Sequence, residues 1–375
     1  MIAPEELFGQ LKLANISFFT GVPDSLLKSF CAYVTENAKK GEHVVAANEG
    51  GAIALAAGHY LATGEYALVY MQNSGLGNAV NPLLSLADID VYSIPMLLMI
   101  GWRGEPGHRD EPQHVKQGRI TLKLLDAMEI PHYVLDGNMA NWQDVVNTAC
   151  YEMKARQGPV AIVVRKGTFE RHQLKAQSKQ KNPLTREDAI GIVVDGLVDG
   201  DLVVSTTGMA SRELFELRDK KGQSHDSDFL TVGSMGHSSQ IALGVALAKS
   251  DKQVFCIDGD GSVLMHTGGL AIIGQLAPKN FKHILINNEA HDSVGGQPTA
   301  SPNVDYVNLA LSMGYKLASR AVTCEEARNA IRNMREATGP CLLEIRVRRG
   351  ARKDLGRPTL TPIEIKDNFT KELAK

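Results

Sequence analysis

The 375-residue sequence predicts an α/β protein made of two mainly parallel-sheet domains, and three observations carry that prediction. Nearly continuous aliphatic and β-branched runs alternate with longer amphipathic or alanine-rich stretches, the pattern of strands covered by helices on both faces. Residues 166–184, KGTFERHQLKAQSKQKNPL, are polar, charged and almost free of apolar periodicity, so they divide the chain. The flanking segments also close alike, GPVAIVVRKG at 158–167 and GPCLLEIRVRRG at 339–350, as a duplicated architecture would.

In order along the first half, strands are expected at 16–19, 43–47, 66–71, 94–100, 132–135 and 160–165. Each is a short run rich in Val, Ile, Leu or Phe, too brief to be a buried helix. Helices are expected between them at 25–38, 49–63, 75–87 and 140–156, where the spacing widens or alanine accumulates. The segment 100–119, IGWRGEPGHRDEPQHVKQGR, reads as an exposed loop of mixed charge after a strand. The second half repeats the habit, with strands at 201–206, 253–258, 283–288, 315–319 and 341–347. The resulting division is a first domain at 1–168, a linker at 169–184, and a second domain at 185–375 that ends in a basic segment.

Composition narrows the class of function. Hydrophobic residues make up 43% and charged residues 22%, a globular profile. The net charge of −2 gives no global reason to bind nucleic acid or an acidic membrane. Cys31, Cys150, Cys256, Cys324 and Cys341 form no metal-spaced pair and fit a reducing compartment. The amino terminus, MIAPEELFGQ, lacks the basic and apolar regions of a signal peptide, and no apolar run approaches the roughly 20 residues of a membrane span. A cytoplasmic protein without a membrane or nucleic-acid partner is expected.

The chemistry begins at CIDGDGSVLM, 256–265. A carboxylate after a parallel strand lies at the carboxyl edge of the sheet, where open α/β folds bind ligands. Gly259 and Gly261 flank Asp260 and let backbone approach a bulky anion, while Ser262 and the helix start beyond it add donors suited to phosphate. After 25 more residues come Asn287 and Asn288, at the end of the next expected strand. Singly, Asp-Gly is foremost a turn and Asn-Asn a cap. Together they bring a carboxylate and an amide oxygen within reach of one Mg²⁺, which completes about six oxygen ligands with phosphate and water.

GDG followed by NN at this spacing resembles the cofactor motif of the thiamine-diphosphate (ThDP)-dependent 2-oxo acid decarboxylase family. The resemblance implies two ThDP-binding-fold domains, one for the pyrimidine and one for the diphosphate, with ThDP and Mg²⁺ as cofactors. It implies Asp260, Asn288 and the carbonyl of Ala290 as metal ligands; many members carry glycine where Ala290 stands. Glu49, in VVAANEGGAIALAAG at 44–58, matches the glutamate that faces the pyrimidine N1′. Alone it would read as an acid complementing a helix dipole. In GSMG, 233–236, Met235 matches the wedge beneath the bent cofactor and Gly233 the carbonyl facing its 4′-amino group. The family builds its sites between subunits, so a homodimer or higher homo-oligomer is implied.

NNEAHDSVGGQPT at 287–299 and RKDLGRPT at 352–359 resemble in particular the members acting on phosphonopyruvate, with sulfopyruvate as the nearest alternative. An anionic 2-oxo acid is therefore the implied substrate. Arg103 and Arg109 suit phosphonate oxygens, and Asp24, in FTGVPDS, sits where relatives place an active-site acid. His114 and His291 are imidazoles able to move a proton near neutral pH. Other ThDP carboligases, or a non-catalytic Mg²⁺–diphosphate binder, are the remaining alternatives; Glu49 weighs against the last.

Overall fold

The computed structural model describes residues 1–175 and 182–375. Two compact units divide it, Met1–Gln177 with Ser293–Pro298, and Ser178–Asp292 with Thr299–Lys375.

The first unit holds a six-stranded sheet of β1 (Ile16–Gly21), β2 (His43–Val45), β3 (Tyr66–Gln72), β4 (Met96–Gly101), β5 (His132–Leu135) and β6 (Val160–Val164). All neighbours are parallel, in the order β2-β1-β3-β4-β6-β5. The second holds β7 (Leu202–Ser205), β8 (Asp228–Leu230), β9 (Val254–Gly259), β10 (Phe281–Asn287), β11 (Leu317–Ala321) and β12 (Cys341–Arg346). Its order, β11-β12-β10-β9-β7-β8, is also parallel throughout. Numbered within each unit and read from the opposite edge, the second order is the first. The echoed Gly-Pro segments lead into β6 and β12, which insert between the fourth and fifth strands of their sheets.

Two apolar layers per sheet explain why the strands are apolar without alternation. In the first unit Leu97 and Met99 of β4 join one core cluster, while Met96, Leu98 and Ile100 join the cluster on the other face. In the second, Phe255 and Ile257 of β9 face one cluster, and Val254 and Cys256 the other. Burying aliphatic surface on both sides, at about 25 cal/mol per Å², stabilises the central strands.

Several expected bounds move. The stretch 75–87 is broken into a 3₁₀ turn, the helix Leu76–Pro82 and a π-helical turn at Leu83–Ala87. The charged stretch read as a loop becomes helical from Pro112 to Ala127. Its inward stripe is His114, Gly118, Thr121 and Leu125, so a single aliphatic side chain marks the buried face and periodicity could not show it. The short strand β8 was also unanticipated.

Both ends of the expected linker are structured. Phe169 is bridged to Ile2 and packs in the first unit's core, while Leu184 packs in the second unit's core. Residues 176–181 of that linker lie outside the described residues. Among the described residues no helix is long and apolar enough to cross a membrane.

Candidate active site

In the second unit, β9 and β10 run side by side with Gly259 paired to Ile286, so Asp260 and the Asn287–Asn288 pair leave adjoining strand tips. Asp260 opens the helix Asp260–Met265 and is 2% exposed. Its Oδ2 accepts from Thr299 Oγ1 at 2.6 Å and Ser301 Oγ at 2.7 Å. None of the ion pairs among the described residues involves it. Burial raises its pKa, as expected of a carboxylate that has lost water without gaining a cation.

The two asparagines have separate duties. Asn287 donates to Glu344 Oε1 at 2.8 Å and accepts from the Glu289 N–H, which knits the turn. Glu289 stands at φ +58°, a left-handed conformation that costs a side chain of this kind energy. Asn288 donates through Nδ2 to Asp292 Oδ2 at 2.7 Å, and its Oδ1 accepts from the Ala290 N–H at 3.2 Å.

Gly261, Met235 and His291 converge. A Cβ added to Gly261 would come within 2.9 Å of the His291 ring and 3.4 Å of the Met235 methyl. A Cβ on Gly259 would meet no protein atom within 4 Å. Ser262 Oγ accepts from the Gly236 N–H at 3.1 Å and the Thr206 hydroxyl at 3.2 Å, tying the GSMG turn to the helix start. Gly233, at φ +74°, donates its N–H to Thr207 Oγ1 at 3.1 Å. Burial pulls the His291 pKa down to about 4, so the ring is neutral at physiological pH.

This set fits a hard divalent cation carrying a diphosphate. It offers a buried carboxylate without a cationic partner, an amide oxygen from the neighbouring strand tip, and glycines where an anion must come close.

In the first unit, Asn48 caps the helix Glu49–Thr63, its side chain accepting from the Gly51 N–H at 2.7 Å. That cap fixes Glu49 at the helix entrance, 6% exposed. Asn78 donates to Glu49 Oε2 at 2.8 Å, and a Cβ at Gly75 would lie 2.5 Å from Oε1. Burial raises the Glu49 pKa, against the bond from Asn78.

Beyond β4 the same unit builds a polar cluster. Arg103 donates through Nε to Asp110 Oδ2 at 2.8 Å, through Nη2 to Oδ1 at 2.5 Å, and through Nη1 to Ser25 Oγ at 2.7 Å. Burial opposes ionisation of Asp110, but the bonds from Arg103 and the Gly104 N–H outweigh it and draw the pKa down to about 2. Asp24 is fully buried, accepts from the Leu26 N–H at 2.8 Å, and keeps Oδ1 without a hydrogen bond. Its pKa is raised by burial, with Arg103 pulling the other way. His114 is buried, and desolvation with the nearby Arg103 lowers its pKa. Arg109 is exposed.

Sequence reasoning thus missed Asp110, Asn78, Thr299, Ser301 and Asp292, which hold the named residues. It also missed Asp258, fully buried beside His283 at 3.6 Å, whose Oδ1 accepts from the Gly259 N–H at 2.9 Å. The doubled acid in IDGDG was the one signal that could have pointed there.

Residues 2–129 match the family described as "Thiamine pyrophosphate enzyme, N-terminal TPP binding domain", and residues 205–345 its C-terminal TPP binding domain. Thiamine pyrophosphate is ThDP, so the two matches together define a ThDP enzyme. Over 98% of its length the chain is 33% identical to a phosphonopyruvate decarboxylase of Streptomyces viridochromogenes, covering 94% of that protein. It is 31% identical, also over 98%, to a phosphonopyruvate decarboxylase of Streptomyces hygroscopicus, covering 93% of it. Similarity to a sulfopyruvate decarboxylase of Methanosarcina acetivorans is 29% over 82% of the chain and 81% of the relative. The chain belongs to the phosphonopyruvate decarboxylase family of ThDP-dependent decarboxylases.

Proposed function

We propose that this enzyme, with ThDP and Mg²⁺, converts 3-phosphonopyruvate and a proton to phosphonoacetaldehyde and CO₂, a step towards 2-aminoethylphosphonate and other phosphonates. The observation that carries the cofactor half is Asp260, buried without a cationic partner beside the strand tip that presents Asn288. Similarity to phosphonopyruvate decarboxylases over nearly the whole chain supports the substrate.

When bound, ThDP supplies the carbanion and electron sink that 2-oxo acid decarboxylation requires. Asp260, Asn288 and the Ala290 carbonyl would hold Mg²⁺, with Gly259, Gly261 and Ser262 lining the diphosphate. Met235 and the Gly233 carbonyl would shape and orient the rings. Glu49, whose raised pKa lets it share a proton, would face the pyrimidine N1′. His114 and His291, neutral near pH 7, are suited to accept or return a proton at the reacting carbon. Arg103 keeps N–H groups beyond those given to Asp110 and Ser25, and with Arg109 would meet the phosphonate. Asp24 would complete the substrate end. In this reading 1–168 is the pyrimidine domain and 185–375 the diphosphate domain.

The unit in solution would be a homodimer or larger homo-oligomer in which Glu49 of one subunit serves the metal site of its partner. The scattered free cysteines support a cytoplasmic location. Parallel assays of CO₂ and aldehyde release from phosphonopyruvate, sulfopyruvate and pyruvate test the substrate. Preference for phosphonopyruvate is the expected result, and faster turnover of sulfopyruvate would overturn the assignment. Co-expressing Glu49→Gln with Asp260→Ala tests the shared site: mixed oligomers recover activity only if the two residues come from different subunits.

A further inference from the structure

An asparagine can serve a hard cation only through its oxygen, and its two ends are nearly the same shape. What decides which end of Asn288 faces the metal site? The neighbour across from it is Asp292, whose carboxylate accepts but cannot donate. Its Oδ2 takes three donors: Asn288 Nδ2 at 2.7 Å, Arg186 Nη1 at 3.2 Å and the Gly350 N–H at 2.9 Å. Arg186 is itself held by Glu213 through two bonds, 2.8 Å from Nε and 3.0 Å from Nη2, and both side chains are buried.

We infer that Asp292 is the positioning residue of the metal site, fixing the Asn288 amide so that its oxygen faces the cation. Turning the amide over would set the Asn288 oxygen against the Asp292 carboxylate, two acceptors with no proton between them. It would also set the NH₂ group against the Ala290 N–H, two donors, where Oδ1 now accepts at 3.2 Å. Both faces of the amide therefore select one orientation. The anchoring reaches further, because Gly350 lies in the basic segment after β12 and Arg186 lies in the helix Arg186–Gly196. Asp292 joins these two elements to the ligand, and it shares the Arg186 guanidinium with Glu213.

The inference rests on Asn288 being a metal ligand, and the test separates the two claims. The full-length protein is titrated with Mn²⁺ in the presence of ThDP, and free Mn²⁺ is read by its electron paramagnetic resonance signal. Asp292→Ala should weaken Mn²⁺ binding by about tenfold or more, the usual effect of losing a residue that orients a metal ligand. Asn288→Asp offers an oxygen at either end, so it should raise affinity by a larger factor in the Asp292→Ala background than in the native one. Equal factors in the two backgrounds, or an Asp292→Ala variant within about twofold of native, overturn the positioning role. Should Asp292→Ala fail to fold, Asp292→Asn replaces it. Its amide oxygen can take the same three donors, so affinity within about threefold of native is expected, and a loss as large as that of Asn288→Ala overturns the inference. Unchanged Mn²⁺ affinity in Asn288→Ala would instead remove the ligand assignment itself.

Discussion

The two sheets share one strand order yet carry different chemistry at matching ends. After the second strand, the first unit places a buried carboxylate, Glu49, at a capped helix entrance, while the second places the glycine-rich turn of Gly233 and Met235. After the third strand the roles reverse, with Asn73 in the first unit and Asp260 in the second. After the fourth come Arg103 locked to Asp110 in one and Asn288 locked to Asp292 in the other. One scaffold therefore offers several equivalent strand tips, and the two units place their buried acids after different strands. A parallel sheet covered on both faces tolerates this, because its core strands keep the frame while loops at the carboxyl edge vary.

The comparison sharpens if each acid is removed in turn. Asp260→Ala should cause the largest effect, weakening Mg²⁺-dependent ThDP binding by at least about 100-fold in equilibrium dialysis. Unchanged cofactor affinity would remove the metal assignment. Glu49→Gln should act oppositely, keeping ThDP affinity within about fivefold while kcat falls by about 10²–10⁴. If that variant instead loses cofactor with turnover intact, the contrast between the units fails. Arg109→Ala should raise KM for phosphonopyruvate about tenfold more than for pyruvate, the worth of one charge-assisted hydrogen bond. Parallel shifts for both substrates would take Arg109 out of phosphonate recognition.

The smallest expected effect concerns pH. His291 has a folded pKa of about 4 against an ordinary value of 6.5. The unfolded chain therefore binds more protons between those values, and this residue's contribution to stability falls as pH drops from about 6.5 to 4. His291→Phe should flatten that part of the native stability curve measured by urea unfolding, and an identical slope in the variant would reject the assignment.

Much of this frame was legible in advance for a physical reason. Strands buried on both faces are mostly apolar without alternation, so 66–71 and 94–100 stood out without any partner being known. GDG and NN were legible because their spacing is local to one strand–helix–strand unit. The supporting residues were not. Asp110, Asn78, Thr299 and Ser301 are ordinary polar side chains whose meaning lies only in what the fold brings near them. The helix from Pro112 to Ala127 was hidden because its buried stripe is made of His114, Gly118 and Thr121, which carry no hydrophobic signal. Arg103 read as one cation in a loop of mixed charge, and only the fold reveals which acid, seven residues on, grips it.

Gly75 has a practical bearing on how inherited or engineered changes would be classified. It touches no candidate ligand, sits in a short turn, and by itself looks replaceable. Yet even one methyl group there would press on the carboxylate of Glu49. If Glu49 serves as proposed, a Gly75→Ala protein should lose more in turnover than in cofactor affinity, and a screen based on expression alone would miss it.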